Sequence, residues 1–95
     1  MKSKQIFVSG KVQGVGFRNY TMKIASALEI TGWARNLSSS DVEILACYAE
    51  ESVFQKFLVE LKKGPARSKV NNIEIIDVDS KSIHCDTFTI EPDGE

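Results

Sequence analysis

Gln5-Ile6-Phe7-Val8-Ser9-Gly10-Lys11-Val12-Gln13-Gly14-Val15-Gly16-Phe17-Arg18 joins an apolar run to an amphipathic one through three glycines in the seven positions from Gly10 to Gly16. Ile6-Phe7-Val8, bounded by Ser9-Gly10, reads as a short buried strand. From Phe17 onward Thr21, Ile24, Ala25 and Leu28 recur at helical spacing, so one helix face lies on a core and the helix ends near Glu29. A strand delivered into a helix through glycine lets loop N–H groups and the first helical amides converge on one anion, with Arg18 supplying the full charge. Glycine spacing alone does not decide this. Gly10, Gly14 and Gly16 fit neither the dinucleotide fingerprint nor the phosphate loop that ends in Gly-Lys-Ser/Thr, and a plain strand-to-helix turn needing positive φ is the competing reading.

Working outward, Gly32 marks a turn and Trp33-Ala34-Arg35-Asn36-Leu37 reads as a second strand, with Trp33 and Arg35 on one face and Ala34 and Asn36 on the other. Ser38-Ser39-Ser40-Asp41 is turn chemistry, unusual in holding no glycine, and Val42 to Ala49 is strand-like, so the two runs form a hairpin. A second helix starts near Glu50 and Glu51 and carries an apolar stripe of Val53, Phe54, Phe57, Leu58 and Leu61. Lys62-Lys63-Gly64-Pro65 stops it: cations complement the last turn, the glycine takes a left-handed conformation, and proline cannot continue the helix. Val70 to Val78 is β-rich, and its apolar phase slips between Ile75 and Ile76, which suggests either a bulge or a strand covered on both faces. Thr87-Phe88-Thr89-Ile90 is the last strand before a polar tail.

The order strand, helix, strand, strand, helix, strand, plus one short extra strand, is that of an α+β ferredoxin-like sandwich, βαββαβ, with two helices on one face of an antiparallel-dominated sheet. Ninety-five residues support a single domain over 1–95. Hydrophobic residues at 42% and charged residues at 26% exclude disorder and a coiled coil. A formal charge of -1 gives no broad attraction to nucleic acid or anionic lipid. No apolar run has the length of a signal peptide or a membrane span, so the expectation is a cytoplasmic monomer with no nucleic-acid and no membrane partner.

The usual catalytic inventory is missing. His84, the single histidine, lies between Ile83 and Cys85 and reads as structural or surface. Cys47 and Cys85 lack the spacing of a zinc or redox site and read as buried reduced thiols. Neither a metal-ligand set nor a serine elbow is visible, so metal-free, non-covalent chemistry is expected. Lys62, Lys63, Arg67 and Lys69 read as a helix terminus and a solvated loop rather than an anion site, and the isolated Phe7 and Tyr48 do not make an RNA-stacking surface.

Gly10-Lys11-Val12-Gln13-Gly14-Val15-Gly16-Phe17-Arg18, with Tyr20-Thr21, resembles the N-terminal signature of the acylphosphatase family, and Gly32-Trp33-Ala34-Arg35-Asn36-Leu37 resembles its second. The similarity continues through Val42-Glu43, Gly64-Pro65 and Phe88-Thr89-Ile90. It implies an enzyme that hydrolyses the carboxyl-phosphate bond of acyl phosphates without metal or cofactor. Arg18 matches the arginine that binds the substrate phosphate, and Asn36 matches the asparagine that positions the attacking water. Gly10, Lys11, Val12, Gln13, Gly14, Val15 and Gly16 match the loop whose amides surround the phosphate. The chemistry suits these residues, since a carboxylate leaving group departs without a general acid and a side-chain amide can orient water but not deprotonate it. Departures from the family pattern are the missing glycine between Asn36 and Val42, Ser68 in place of a common alanine, and the acidic tail Glu91-Pro92-Asp93-Gly94-Glu95. The nearest rival is a carbamoyl phosphate cradle within a larger carbamoyltransferase, against which the short single domain argues.

Overall fold

The computed structural model describes residues 1–79, 81, 83 and 85–94, so the expectation for His84 lies outside the described residues. The elements run β1 (Lys2–Lys11), α1 (Phe17–Ala27), β2 (Thr31–Asn36), β3 (Val42–Tyr48), α2 (Glu51–Lys63), β4 (Lys69–Val78) and β5 (Phe88–Ile90). One sheet holds all the strands of the described residues in the order β4-β1-β3-β2-β5. All pairs are antiparallel except β2–β5, which is parallel. This is the expected α+β ferredoxin-like sandwich with its extra strand.

Both helices cover the same face. Ile6, Val8, Ala34, Val42, Ile44 and Ala46 point from the sheet into a cluster with Phe17 and Ala25 of α1 and Phe54, Phe57 and Leu61 of α2. Tyr48 stacks on Phe54 with ring centroids 4.5 Å apart. Each fully buried Ile, Val, Leu or Phe in such a cluster contributes about 1.5–3 kcal/mol relative to exposure. This common core fixes α1 against β2 and so holds the two quoted motifs side by side. On the other face Arg35 lies 5.0 Å over the Trp33 ring and donates Nε to the buried Glu43 carboxylate at 2.6 Å. Trp33 therefore packs at the sheet surface, its apolar ring covered by the Arg35 guanidinium.

Several local expectations are corrected. β1 is ten residues long rather than the short Ile6-Phe7-Val8 run, because it pairs on both edges, with β3 and β4, and that double ladder holds its polar positions in line. Ser3 is one of these, buried with its hydroxyl against the Cys47 sulfur at 3.4 Å. β4 is the sheet edge, so Ile75 and Ile76 are neither covered on both faces nor at a bulge; they stand 41% and 42% exposed. The register shift instead falls where Ser9 faces Asn72 and Gly10 faces Val70, which leaves Asn71 as the extra residue. Cys47 is buried and Cys85 only partly so, and both are free thiols.

α1 ends two residues before Glu29. Ile30 N–H donates to Ala25 O and Glu29 N–H to Ser26 O, with Glu29 at φ 58, a left-handed helix end built without glycine. α2 stops where Lys62-Lys63-Gly64-Pro65 indicated, but Gly64 adopts φ 64 with an extended ψ of 173, a region only glycine enters readily. Among the described residues no helix is long and apolar enough to cross a membrane.

Candidate active site

Gly14 and Gly16 both take left-handed conformations, at φ 72 and 78, while Val15 between them does not. Alternation of hand curls a backbone so that neighbouring N–H groups face one concave side. Gly16 is then the N-cap of α1, with no side-chain cap and no acid in the first turn. The first amides of the helix therefore lack both an intrahelical acceptor and an internal anion. A cavity of about 230 Å³ opens at this point, lined by Val12, Gly14, Gly16, Phe17, Arg18, Asn19, Asn36 and Ile90.

Arg18 sits in the first turn of α1 with its side chain 31% exposed. Its Nη1 donates to Glu91 O and to the Asp93 carboxylate, both at 3.2 Å. The acid that meets it is exposed, so the guanidinium is not locked away from the cavity by a buried partner. Asn36 ends β2 opposite Val42 and reaches the cavity from across the sheet. Two segments of the chain thus supply one site: a donor-rich loop and helix start, and an amide at a strand end.

The hairpin under Asn36 is built without glycine. Ser40 takes the left-handed position itself, at φ 80, and closes the turn through Leu37 N–H to Asp41 O at 2.9 Å and Ser40 N–H to Leu37 O at 3.1 Å. Gln13 then ties the hairpin to the glycine loop. Its side-chain Nε2 donates to Leu37 O at 2.8 Å and to Asp41 O at 2.9 Å.

Of the residues expected in the cradle, the structure brings Val12, Gly14, Gly16, Arg18 and Asn36 to the cavity. Gly10 and Lys11 do not line it. They belong to β1 and face Val70 and Lys69; a Cβ at Gly10 would stand 2.2 Å from Lys69 O, and its φ is 123, so strand contact and backbone conformation together require this glycine. Gln13 bridges the loop to the hairpin, and Val15 packs against the core. Asn19 and Ile90 line the cavity without having been expected to. Asn19 follows Arg18 into the helix and its position was readable from the sequence; Ile90 arrives only through the parallel pairing of β5 with β2. Among the described residues no group of three or more His, Cys, Asp or Glu stands together as a metal site.

The acylphosphatase family model matches residues 4–90. The chain belongs to the acylphosphatase family. An acylphosphatase of Syntrophotalea carbinolica is 48% identical over 71 residues, 75% of this chain and 76% of the relative. The crystal structure of acylphosphatase from Bacillus subtilis superposes with a TM-score of 0.87 at 35% identity, covering 96% of this chain and 99% of that one. Full-length HypF, crystallised in its phosphate- and nucleotide-bound form, contains a similar domain: TM-score 0.79, 32% identity, 98% of this chain and 12% of HypF. As an acylphosphatase the protein is a hydrolase, and its substrate class is acyl phosphates.

Proposed function

We propose that the amides around Gly14, Gly16 and the start of α1, together with Arg18, hold the phosphoryl group of an acyl phosphate while Asn36 holds the attacking water in line. Water oxygen bonds to phosphorus, the bond from phosphorus to the acyl oxygen breaks, and the carboxylate leaves with the electron pair. The water proton passes to a phosphate oxygen. Products are a carboxylate and inorganic phosphate. The observation that carries this reading is the meeting of Arg18, Asn36 and the uncapped helix start around one cavity.

Each group suits its task. The planar guanidinium donates to two phosphoryl oxygens at once, and backbone donors aimed at the same oxygens stabilise the charge spread in a loose transition state. The side-chain amide of Asn36 both accepts and donates, which is enough to fix a water but not to remove its proton. Gln13 holds the hairpin that carries Asn36 against the loop that holds phosphate, so the two halves keep register. One chain supplies every group in this scheme, so the reaction needs no second copy.

Hydrolysis of benzoyl phosphate in the presence of EDTA, comparing the intact protein with Arg18→Gln, tests the reading. Turnover that survives chelation and is abolished by the substitution is the expected result. Loss of turnover on chelation, or an active Arg18→Gln, overturns it. The rival reading is a domain that holds phosphate without turnover, for which phosphate would bind and no benzoyl phosphate would be consumed.

A further inference from the structure

Beyond β5 the chain continues alongside β2 in the same direction, toward the cavity. Glu91 N–H donates to Ala34 O at 2.9 Å, and Gly94 N–H donates to Asn36 O at 2.7 Å. Gly94 lies against Arg35 so closely that a Cβ there would meet the Arg35 Nε at 2.9 Å. These tethers fix both ends of a short span, and Asp93 within it reaches Arg18 Nη1 at 3.2 Å. The same nitrogen donates to the Glu91 carbonyl, also at 3.2 Å. One tail therefore touches Arg18 twice and the backbone of Asn36 once.

The two contacts on Arg18 differ in kind. The Glu91 carbonyl is a neutral acceptor held in place by the β2 ladder, so it steadies the guanidinium whatever else binds. The Asp93 side chain is 71% exposed against 31% for Arg18, so the acid is free to swing into water while the guanidinium stays. A carboxylate and a phosphoryl group seek the same fork of donors.

We infer that Asp93 is a resident anion on Arg18 that an incoming phosphoryl group displaces, and that it thereby sets the affinity of the site for phosphate against carboxylate. This rests on the reading of Arg18 as the phosphate ligand. A fork left empty would take up any small carboxylate, the reaction's own product included. With Asp93 in place a monocarboxylate gains little by exchange, whereas a phosphoryl group engages the amides of the loop and helix start as well as the guanidinium that Asp93 touches. Asp93 is a specificity-determining residue in this scheme, not a catalytic one.

Titration of the intact protein with inorganic phosphate and with acetate, followed calorimetrically, tests this on the wild type, Asp93→Asn and Asp93→Glu. In Asp93→Asn phosphate should bind about two- to five-fold more tightly, the span expected for loss of one exposed ion pair, and acetate binding should become measurable or strengthen by at least as much. KM for benzoyl phosphate should fall with the phosphate constant while kcat does not rise. Asp93→Glu, which restores the charge, should return phosphate affinity toward the wild-type value. Weaker phosphate binding in Asp93→Asn would mean that the acid positions Arg18 and would overturn the exchange. Unchanged binding would make the pair a bystander and overturn it equally. Arg18→Gln serves as the control: if it binds phosphate like the wild type, the reading of the whole site fails along with this one, and if it does not, the Asp93 variants alone decide.

Discussion

The two helices begin under opposite electrostatic conditions. α2 carries Glu51 in its first turn and Lys62 and Lys63 in its last, so its own side chains complement both ends of its dipole. α1 carries no acid in its first turn and no base in its last, while neither helix has a side-chain cap, at Gly16 or at Glu50. Both bury a stripe in the same core, so packing does not explain the contrast. An acid in the first turn of an exposed helix is worth about 0.3–1 kcal/mol. The chain leaves that stabilisation unused at the helix start that opens into a cavity beside Arg18, where an internal acid would occupy the place of a ligand.

Arg18→Lys breaks the contrast most severely. It keeps a positive charge at the open helix start and removes the planar fork, so kcat/KM for an acyl phosphate should fall about 10²- to 10³-fold. The urea midpoint should barely move, because the ion pair lost with Asp93 is exposed on the acid's side. A drop of less than about tenfold would show that a point charge beside the amides suffices.

Asn36→Ala comes next. It leaves the donors at the α1 start untouched and removes the proposed water-orienting group, so kcat should fall about 10²-fold while the dissociation constant for inorganic phosphate is retained. Turnover comparable to wild type would refute water positioning. Parallel loss of phosphate affinity would place Asn36 in phosphate binding instead.

How much of this was legible in the sequence depends on how far apart the partners lie. The stripes on α1 and α2 and the stop at Gly64-Pro65 are local, and periodicity and capping chemistry sufficed for them. Gly14 and Gly16 were legible as left-handed positions for the same reason, while Gly10, also at positive φ, has a further cause that no local pattern shows, the closeness of Lys69 across a ladder. The length of β1 was hidden because Lys2, Lys4 and Gln5 are polar and only pairing on both edges makes them strand. The absence of glycine from residues 38–41 was legible, but that Ser40 takes the left-handed position at φ 80 was not. Ile90 and Asp93 reach the site through strand register, with more than 70 residues between Arg18 and Asp93, and no spacing rule spans such a distance.

Gly16→Ala sharpens the comparison at smaller scale. A Cβ at Gly16 meets nothing within 4 Å, so the substitution tests backbone conformation alone. Holding alanine at φ 78 should lower stability by about 1–2 kcal/mol in urea unfolding. Phosphate affinity should also weaken, since relief of the strain turns the N-cap peptide away from the cavity. Loss of stability with full phosphate affinity would mean that the open helix start does not depend on the left-handed glycine.

Glu51→Gln, at the closed helix start, should have the smallest effect of the series. The Gln55 amide donates to the Glu51 carboxylate at 2.9 Å, and Lys2 lies 3.8 Å away, which together hold its pKa below the ordinary carboxylate value. A carboxyl group whose pKa is lowered by folding stabilises the protein above its unfolded pKa, and that contribution disappears as pH falls through the lowered folded value. The variant should therefore have a slightly lower urea midpoint than wild type at neutral pH, and the two should converge in acid below the carboxylate range. Phosphate affinity and turnover should match wild type at neutral pH, because Glu51 lies outside the cavity lining. A loss of phosphate affinity would show that the two helix starts are coupled through the core they share, and the division of labour between them would then have to be abandoned.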